Sequence, residues 1–188
     1  SIMSNSTRKF PIEVFSENSD QEFNVEPLHF PLRACFISES GGGKTTVILN
    51  VVFNYLNSIL KRVILVSGKP ETAEKFKQIY NDRKPDLELT VFNVFDEEKL
   101  TEIMDEVEQN PEPTLFTFED MTSFNISKKA TNNILDRISS NGRASQIGMI
   151  ISAQRYTDLA PTQRSNNCSI LWLFERPQEM KRIFDEHN

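Results

Sequence analysis

From residue 32 onward, short apolar runs alternate with longer amphipathic stretches, and polar turns separate them. Residues 33–38 form an apolar run of strand length that ends at a glycine-rich turn, so they read as a buried strand. Residues 45–60 follow as one helix that is apolar almost all round, which places it deep in the domain. Residues 63–66 are a second strand broken by Gly68, and Pro70 suits the first turn of a helix reaching about Tyr80. Residues 88–93 make a third strand. Asp96 then caps a helix in which Leu100, Ile103, Met104 and Val107 recur at i, i+3, i+4 and i+7. Pro111 and Pro113 stop it, and residues 114–118 are a fourth strand running into Glu119-Asp120. Ser127 can cap a helix whose apolar face is Ala130, Ile134, Leu135 and Ile138 and which stops at Gly142. Residues 147–153 and 169–174 complete six strands, and Pro177 opens a last helix. This alternation predicts an α/β fold of three layers, with a mainly parallel sheet covered by helices on both faces. Residues 1–31 stand apart as a polar, glycine-free N-terminal extension, read as carrying one short strand or as an arm that packs on a neighbouring subunit.

Composition narrows the picture a little. The longest apolar stretches fall well short of the ~18–20 residues that span a bilayer, so no membrane span is expected. No charged-then-apolar leader opens the chain, and an intracellular protein is the expectation. The net charge of −6 argues against tight, whole-surface binding of nucleic acid, so any such contact is local or built up in an oligomer. Cys35 and Cys168 each sit in an apolar run and read as buried free thiols, with a disulfide or metal pair as the lesser alternative; with His29 and His187 at opposite ends, no Cys/His set has zinc spacing.

The chemistry begins at the first strand-to-helix turn, Ser38-Glu39-Ser40-Gly41-Gly42-Gly43-Lys44-Thr45. Phosphate binding at such a turn needs backbone N–H groups facing inward at a helix N-terminus, and consecutive glycines let the anion approach them. Ser40, Gly41, Gly42, Gly43, Lys44, Thr45 and Thr46 are therefore the candidate residues for binding ATP. Lys44 would reach the β- and γ-phosphates, and the Thr45 hydroxyl would take one Mg²⁺ position. The motif asks for glycine where Ser38 stands, so the turn must begin with negative φ or with strain.

An apolar strand delivering two acids at its C-terminal end is a second signal. One carboxylate would hold Mg²⁺ and the other would orient and deprotonate the attacking water. By position Glu119 is the metal-side acid and Asp120 the base; aspartate is the usual first residue, so the two roles could be exchanged. The third signal is Gln154, which ends the fifth strand. If that strand lies between the first strand and the acid strand, its amide sits beside the γ-phosphate and can hydrogen-bond it or the attacking water. Together these features give the architecture of a P-loop NTPase of the ASCE, RecA-like kind, filling residues 32–188.

Taken in this order, with Met121 after the acids, the Gly142-Arg143 step and the run Pro161-x-x-Arg164-x-Asn166, the motifs resemble the FtsK–HerA superfamily of DNA-pumping ATPases. Within it the likeness is to genome-packaging ATPases of poxviruses, other large DNA viruses, virophages and membrane-containing icosahedral viruses, over about residues 32–175. The resemblance implies a hexameric or pentameric ring in which Arg143 is supplied across the subunit interface to the γ-phosphate, with Arg137, Arg155 and Arg164 as competitors for that role. It implies weak, sequence-independent contact with double-stranded DNA, for which Lys69, Lys128 and Lys129 are candidates. It further implies a capsid or portal-region partner, and a location in the host cytoplasm (the viral factory) or the virion. The residues alone leave open a nucleotide-binding switch with little turnover and, less well supported, a P-loop kinase of small molecules.

Overall fold

The computed structural model describes residues 9–12, 21–24, 30–120, 128–159 and 170–174. Strands β1 (Lys9–Ile12) and β2 (Gln21–Asn24) pair antiparallel as a separate two-stranded sheet, one strand more than the polar sequence predicts. Next come β3 (Arg33–Ser38), α1 (Lys44–Asn50), β4 (Arg62–Ser67), α2 (Pro70–Arg83), β5 (Glu88–Phe92) and α3 (Glu97–Gln109). They are followed by β6 (Thr114–Glu119), α4 (Lys128–Asn141), β7 (Ile147–Ala153) and β8 (Ile170–Phe174). Strands β3 to β8 form one six-stranded sheet, all parallel, in the order β5-β4-β6-β7-β3-β8.

Strand periodicity explains the layers. Successive side chains point to opposite faces, so each central strand feeds two cores. Ala34, Phe36, Val63, Leu65 and Ile150 pack with Ile48, Leu49 and Phe53 after the first turn and with Phe76 and Ile79 of α2. Cys35, Ile37, Ile64, Val66, Phe116 and Ile151 pack instead with Leu100, Met104 and Val107 of α3 and with Ile134, Leu135 and Ile138 of α4. Helices α1 and α2 thus cover one face and α3 and α4 the other. Asp96 caps α3 as its position suggests, accepting from the Lys99 backbone N–H at 3.1 Å. Among the described residues no helix is long and apolar enough to cross a membrane.

The helix expected over residues 45–60 is α-helical only to Asn50; Val51–Tyr55 make a π turn that closes near Leu56. A π turn carries one residue more than the α period, and a stretch that is apolar all round has no phase in its sequence to betray it. Polar groups inside the helix hold it. Buried Asn50 donates to the Thr46 carbonyl at 2.9 Å and accepts from Asn54 at 2.7 Å, while Arg83 of α2 donates to the Phe53 carbonyl and the Asn54 side chain. Cys35 also departs from expectation: it is disulfide-bonded rather than a free thiol. The chain's other cysteine, Cys168, lies outside the described residues, as do Met121, Ser127, Arg164, Asn166 and the helix expected from Pro177.

Two residues finish α4. Arg33 at the start of β3 donates to the Ser139 carbonyl, with Ile138 a longer second acceptor, placing a cation at the C-terminus of the helix. Gly142 then lets the chain turn into β7. A Cβ there would lie 2.4 Å from the Ile138 carbonyl oxygen and 2.7 Å from that of Ile147. Gly142→Ala should therefore destabilise the domain by about 3 kcal/mol, the upper range for single substitutions, in urea unfolding followed by circular dichroism.

Candidate nucleotide-binding site

Parallel strands present all their C-terminal ends on one edge of the sheet, and the candidate residues gather there. β7 lies between β3 and β6, pairing Ile37 with Ala153 on one side and Phe118 with Ile151 on the other. The insertion expected from Gln154 is therefore present. The ends of β6 and β7 and the starts of α1 and α2 border an open cleft. Lys44, Thr45, Lys69, Thr72, Glu119, Asp120, Ser152, Ala153 and Gln154 line it.

The loop between β3 and α1 is shaped by its glycines. Gly41 and Gly43 have φ of 82° and 83°, a region that side chains rarely adopt, and nothing lies within 4 Å of where a Cβ would stand on either. Ser38 stays in strand conformation as the last residue of β3, so the missing motif glycine is not replaced by strain. Its side chain instead fills the space beside Gly42, where a Cβ would come within 2.3 Å of the Ser38 Oγ. The Gly42 N–H donates to the Glu39 carbonyl at 3.1 Å and closes the turn. Ser40, Gly41 and Gly43 are exposed around it, and Thr46 lies in α1.

Lys44 folds back across this turn. Its ammonium donates to the Ser38 carbonyl, to the Glu39 carbonyl at 3.2 Å and to the Ser38 Oγ at 3.4 Å. Burial lowers the Lys44 pKa and the nearby Lys69 adds to the effect, while Glu119 and Asp120 oppose it.

The two acids differ sharply in environment. Glu119 ends β6 and is 3% exposed. Burial pushes its carboxyl up to about 7, against a hydrogen bond from Thr72 and the charges of Lys69 and Lys44. Its Oε1 is buried without a hydrogen-bond partner. An orphaned carboxylate oxygen beside a phosphate loop is a poor arrangement for an empty core and a suitable one for a cation ligand. Asp120 follows at φ 51°, a left-handed conformation uncommon outside glycine and typical of strained sites. It pairs with Lys69 at 3.7 Å. Among the described residues no three His, Cys, Asp or Glu side chains cluster as metal ligands. Mg²⁺ bound with a nucleotide does not need three, because phosphate and water supply most of its shell.

Lys44, Thr45, Glu119, Asp120 and Gln154 are thus brought together, and Arg143 is not. Arg143 sits in the α4–β7 turn, exposed, on the opposite edge of the sheet. Arg137 is fixed between Asp105 and Glu108 of α3 and serves packing. Arg155 is exposed beside Gln154, and its backbone N–H donates to Asp158 at 3.1 Å. Lys69 lines the same cleft with its side chain 40% exposed, and Lys129 is exposed at the start of α4. Thr72 and Ser152 are further lining residues that the sequence reading passed over.

No protein-family model and no curated protein matches the chain. Solved structures do. B204, the DNA-packaging ATPase from Sulfolobus turreted icosahedral virus, superposes with a TM-score of 0.60 at 15% identity, over 81% of this chain and 80% of that one. EssC (ATPases 2 and 3) from Geobacillus thermodenitrificans gives 0.61 at 14% identity, over 93% of this chain and 39% of that one. The pCW3 conjugation coupling protein TcpA gives 0.59 at 12% identity, over 87% of this chain and 54% of that one. The chain has the fold of these ATPases. At such identities the likeness is one of architecture: a three-layer P-loop ATPase fold with an all-parallel sheet.

The buried acid carries a prediction about pH. The folded Glu119 carboxyl titrates above its ordinary value, so the stability it favours is complete below about 4.5 and is lost as pH rises toward 7. A shift of that size corresponds to roughly 3 kcal/mol. Glu119→Gln should therefore be more stable than wild type at pH 8, with the difference vanishing toward pH 4.5, in paired denaturant titrations without nucleotide.

Proposed function

We propose that the protein is an ATP-driven double-stranded DNA translocase that packages a viral genome into its capsid. What supports this reading most is the insertion of β7 between β3 and β6, which brings Gln154 into one cleft with Lys44, Thr45, Glu119 and Asp120. An acid strand one place removed from the loop strand leaves room between them for a γ-phosphate and a water, with the Gln154 amide positioned to contact either. Two of the similar structures are the DNA-packaging ATPase B204 and the conjugation coupling protein TcpA. B204 NTPase of the second turreted icosahedral virus has been solved with AMP, ATPγS and AMPPCP.

In this reading the loop N–H groups and Lys44 bind the phosphates, Lys44 exchanging the Ser38 and Glu39 carbonyls for phosphate oxygens. Thr45 and Glu119 hold Mg²⁺, and the orphaned Glu119 Oε1 is the observation that fits them to it. When bound, the ion neutralises phosphate charge and polarises the group being transferred. Asp120 orients the attacking water and takes its proton, and Gln154 contacts that water or the phosphate. Arg143, remote from its own cleft, acts on a neighbour's cleft in a ring of five or six subunits, where a guanidinium stabilises charge on the phosphoryl group. DNA is gripped through its phosphates without reading sequence, and a capsid or portal-region protein anchors the ring. The work is done in the host cytoplasm or at the virion.

One observation favours a second reading, a nucleotide-binding switch with little turnover. Burial pushes the Glu119 carboxyl up to about 7 and so favours its neutral form, and a neutral acid is a weak cation ligand. Steady-state ATP hydrolysis with and without double-stranded DNA separates the two. Turnover that rises with DNA and falls ~100-fold or more in Lys44→Ala is the expected result. ATP binding with no turnover in either condition would replace the motor with the switch. Mixed rings of Arg143→Ala and Lys44→Ala subunits should recover part of the activity that each lacks alone; verified mixed rings that stay inactive would remove Arg143 from the interface.

A further inference from the structure

The proposed mechanism leaves Lys69 without a role, although it is the second cation of the cleft. Its backbone is fixed. The Ser67 Oγ accepts from the Lys69 N–H at 3.2 Å, Ser67 is buried, and Pro70 starts α2 directly after it. The side chain therefore emerges at the start of α2 and turns into the cleft, where its ammonium lies 3.7 Å from an Asp120 carboxylate oxygen. Lys69 is 40% exposed and Asp120 15%, so the pair sits at the mouth and an incoming anion can reach the lysine. Its charge is also felt by Lys44 and by Glu119, so the four groups form one electrostatic cluster.

We infer that Lys69 is a positioning residue that holds the Asp120 carboxylate until the terminal phosphate of a nucleoside triphosphate competes for it. This rests on the nucleotide site proposed above and adds to it a route by which the third phosphate is recognised. A 3.7 Å ion pair at a partly exposed mouth is a weak bond, and the doubly charged terminal phosphate is the stronger acceptor. The exchange moves the lysine from Asp120 to the phosphate and releases the Asp120 carboxylate from that ion pair. A diphosphate lacks the group that draws Lys69 away, so Asp120 stays held after the γ-phosphate departs. Lys69 then discriminates triphosphate from diphosphate, while Lys44 and the loop bind both.

The test is equilibrium binding of ATPγS and of ADP to the full chain, for wild type, Lys69→Met, Lys69→Arg, Asp120→Asn and the Lys69→Met/Asp120→Asn double variant. Lys69→Met should weaken ATPγS ~10-fold and ADP less than ~2-fold, and Lys69→Arg should restore most of the loss. Asp120→Asn should tighten ATPγS by releasing Lys69, and the double variant should lose that gain. Retained ADP binding shows that each variant is folded. Equal weakening of both nucleotides, no change in either, or tightening that survives in the double variant would overturn the role of Lys69 and leave the site intact. A wild type that binds neither nucleotide would remove the site and this inference together.

Discussion

Register between three neighbouring parallel strands decides where every candidate group stands. With Phe36 opposite Ser152 and Phe118 opposite Ile151, the ends of β3, β7 and β6 finish within a few residues of one another. Because all six strands run the same way, their C-terminal ends cannot be distributed between the two edges. The glycine-rich loop's Lys44, two carboxylates and an amide, spread over 110 positions of the chain from Lys44 to Gln154, thereby share one cleft. The two hydrophobic layers fix that register. A slip of one residue in β6 would turn Phe116 and Phe118 away from α3 and α4 and expose the opposite face to the wrong core.

Most of the architecture was legible because its signals are local and periodic. Strands β3, β4, β6 and β7 show apolar runs, as strands buried on both faces must, and α3 shows a clean i, i+3, i+4 pattern with its own cap. The π turn was hidden because Val51, Val52 and Phe53 are apolar on every side and give no phase. The hairpin of β1 and β2 was half hidden, since neither strand has an apolar alternation that would separate it from a polar arm. At the site, Lys44, Thr45, Glu119 and Asp120 were readable from motif chemistry and Gln154 from the expected strand order. Lys69 and Thr72 were not, because each owes its place to a neighbour across the sheet. A lysine after a strand carries no mark of the carboxylate it will face.

The cleft holds its charges in unequal ways. Glu119 is so deeply buried that its neighbours' two positive charges do not return its carboxyl to the ordinary range, while Asp120 at the mouth stands next to Lys69. Burial therefore divides two adjacent acids into one poised near neutrality and one available at the entrance. This division rests on the backbone: the change from strand to left-handed conformation between residues 119 and 120 turns the second side chain out of the sheet.

At the far edge of the sheet, Arg33 already occupies the carbonyls at the end of α4, and its own pKa is lowered by burial and by the charge of Arg143. A basic side chain just past a helix terminus would ordinarily settle on those carbonyls. Here the place is taken by a like charge, and among the described residues Arg143 has no carboxylate partner. Among the described residues, an anion arriving from another molecule has no carboxylate competitor at Arg143 to displace. It meets the hydration of an exposed guanidinium, and the sheet's own cation keeps its neighbour outward and unspent.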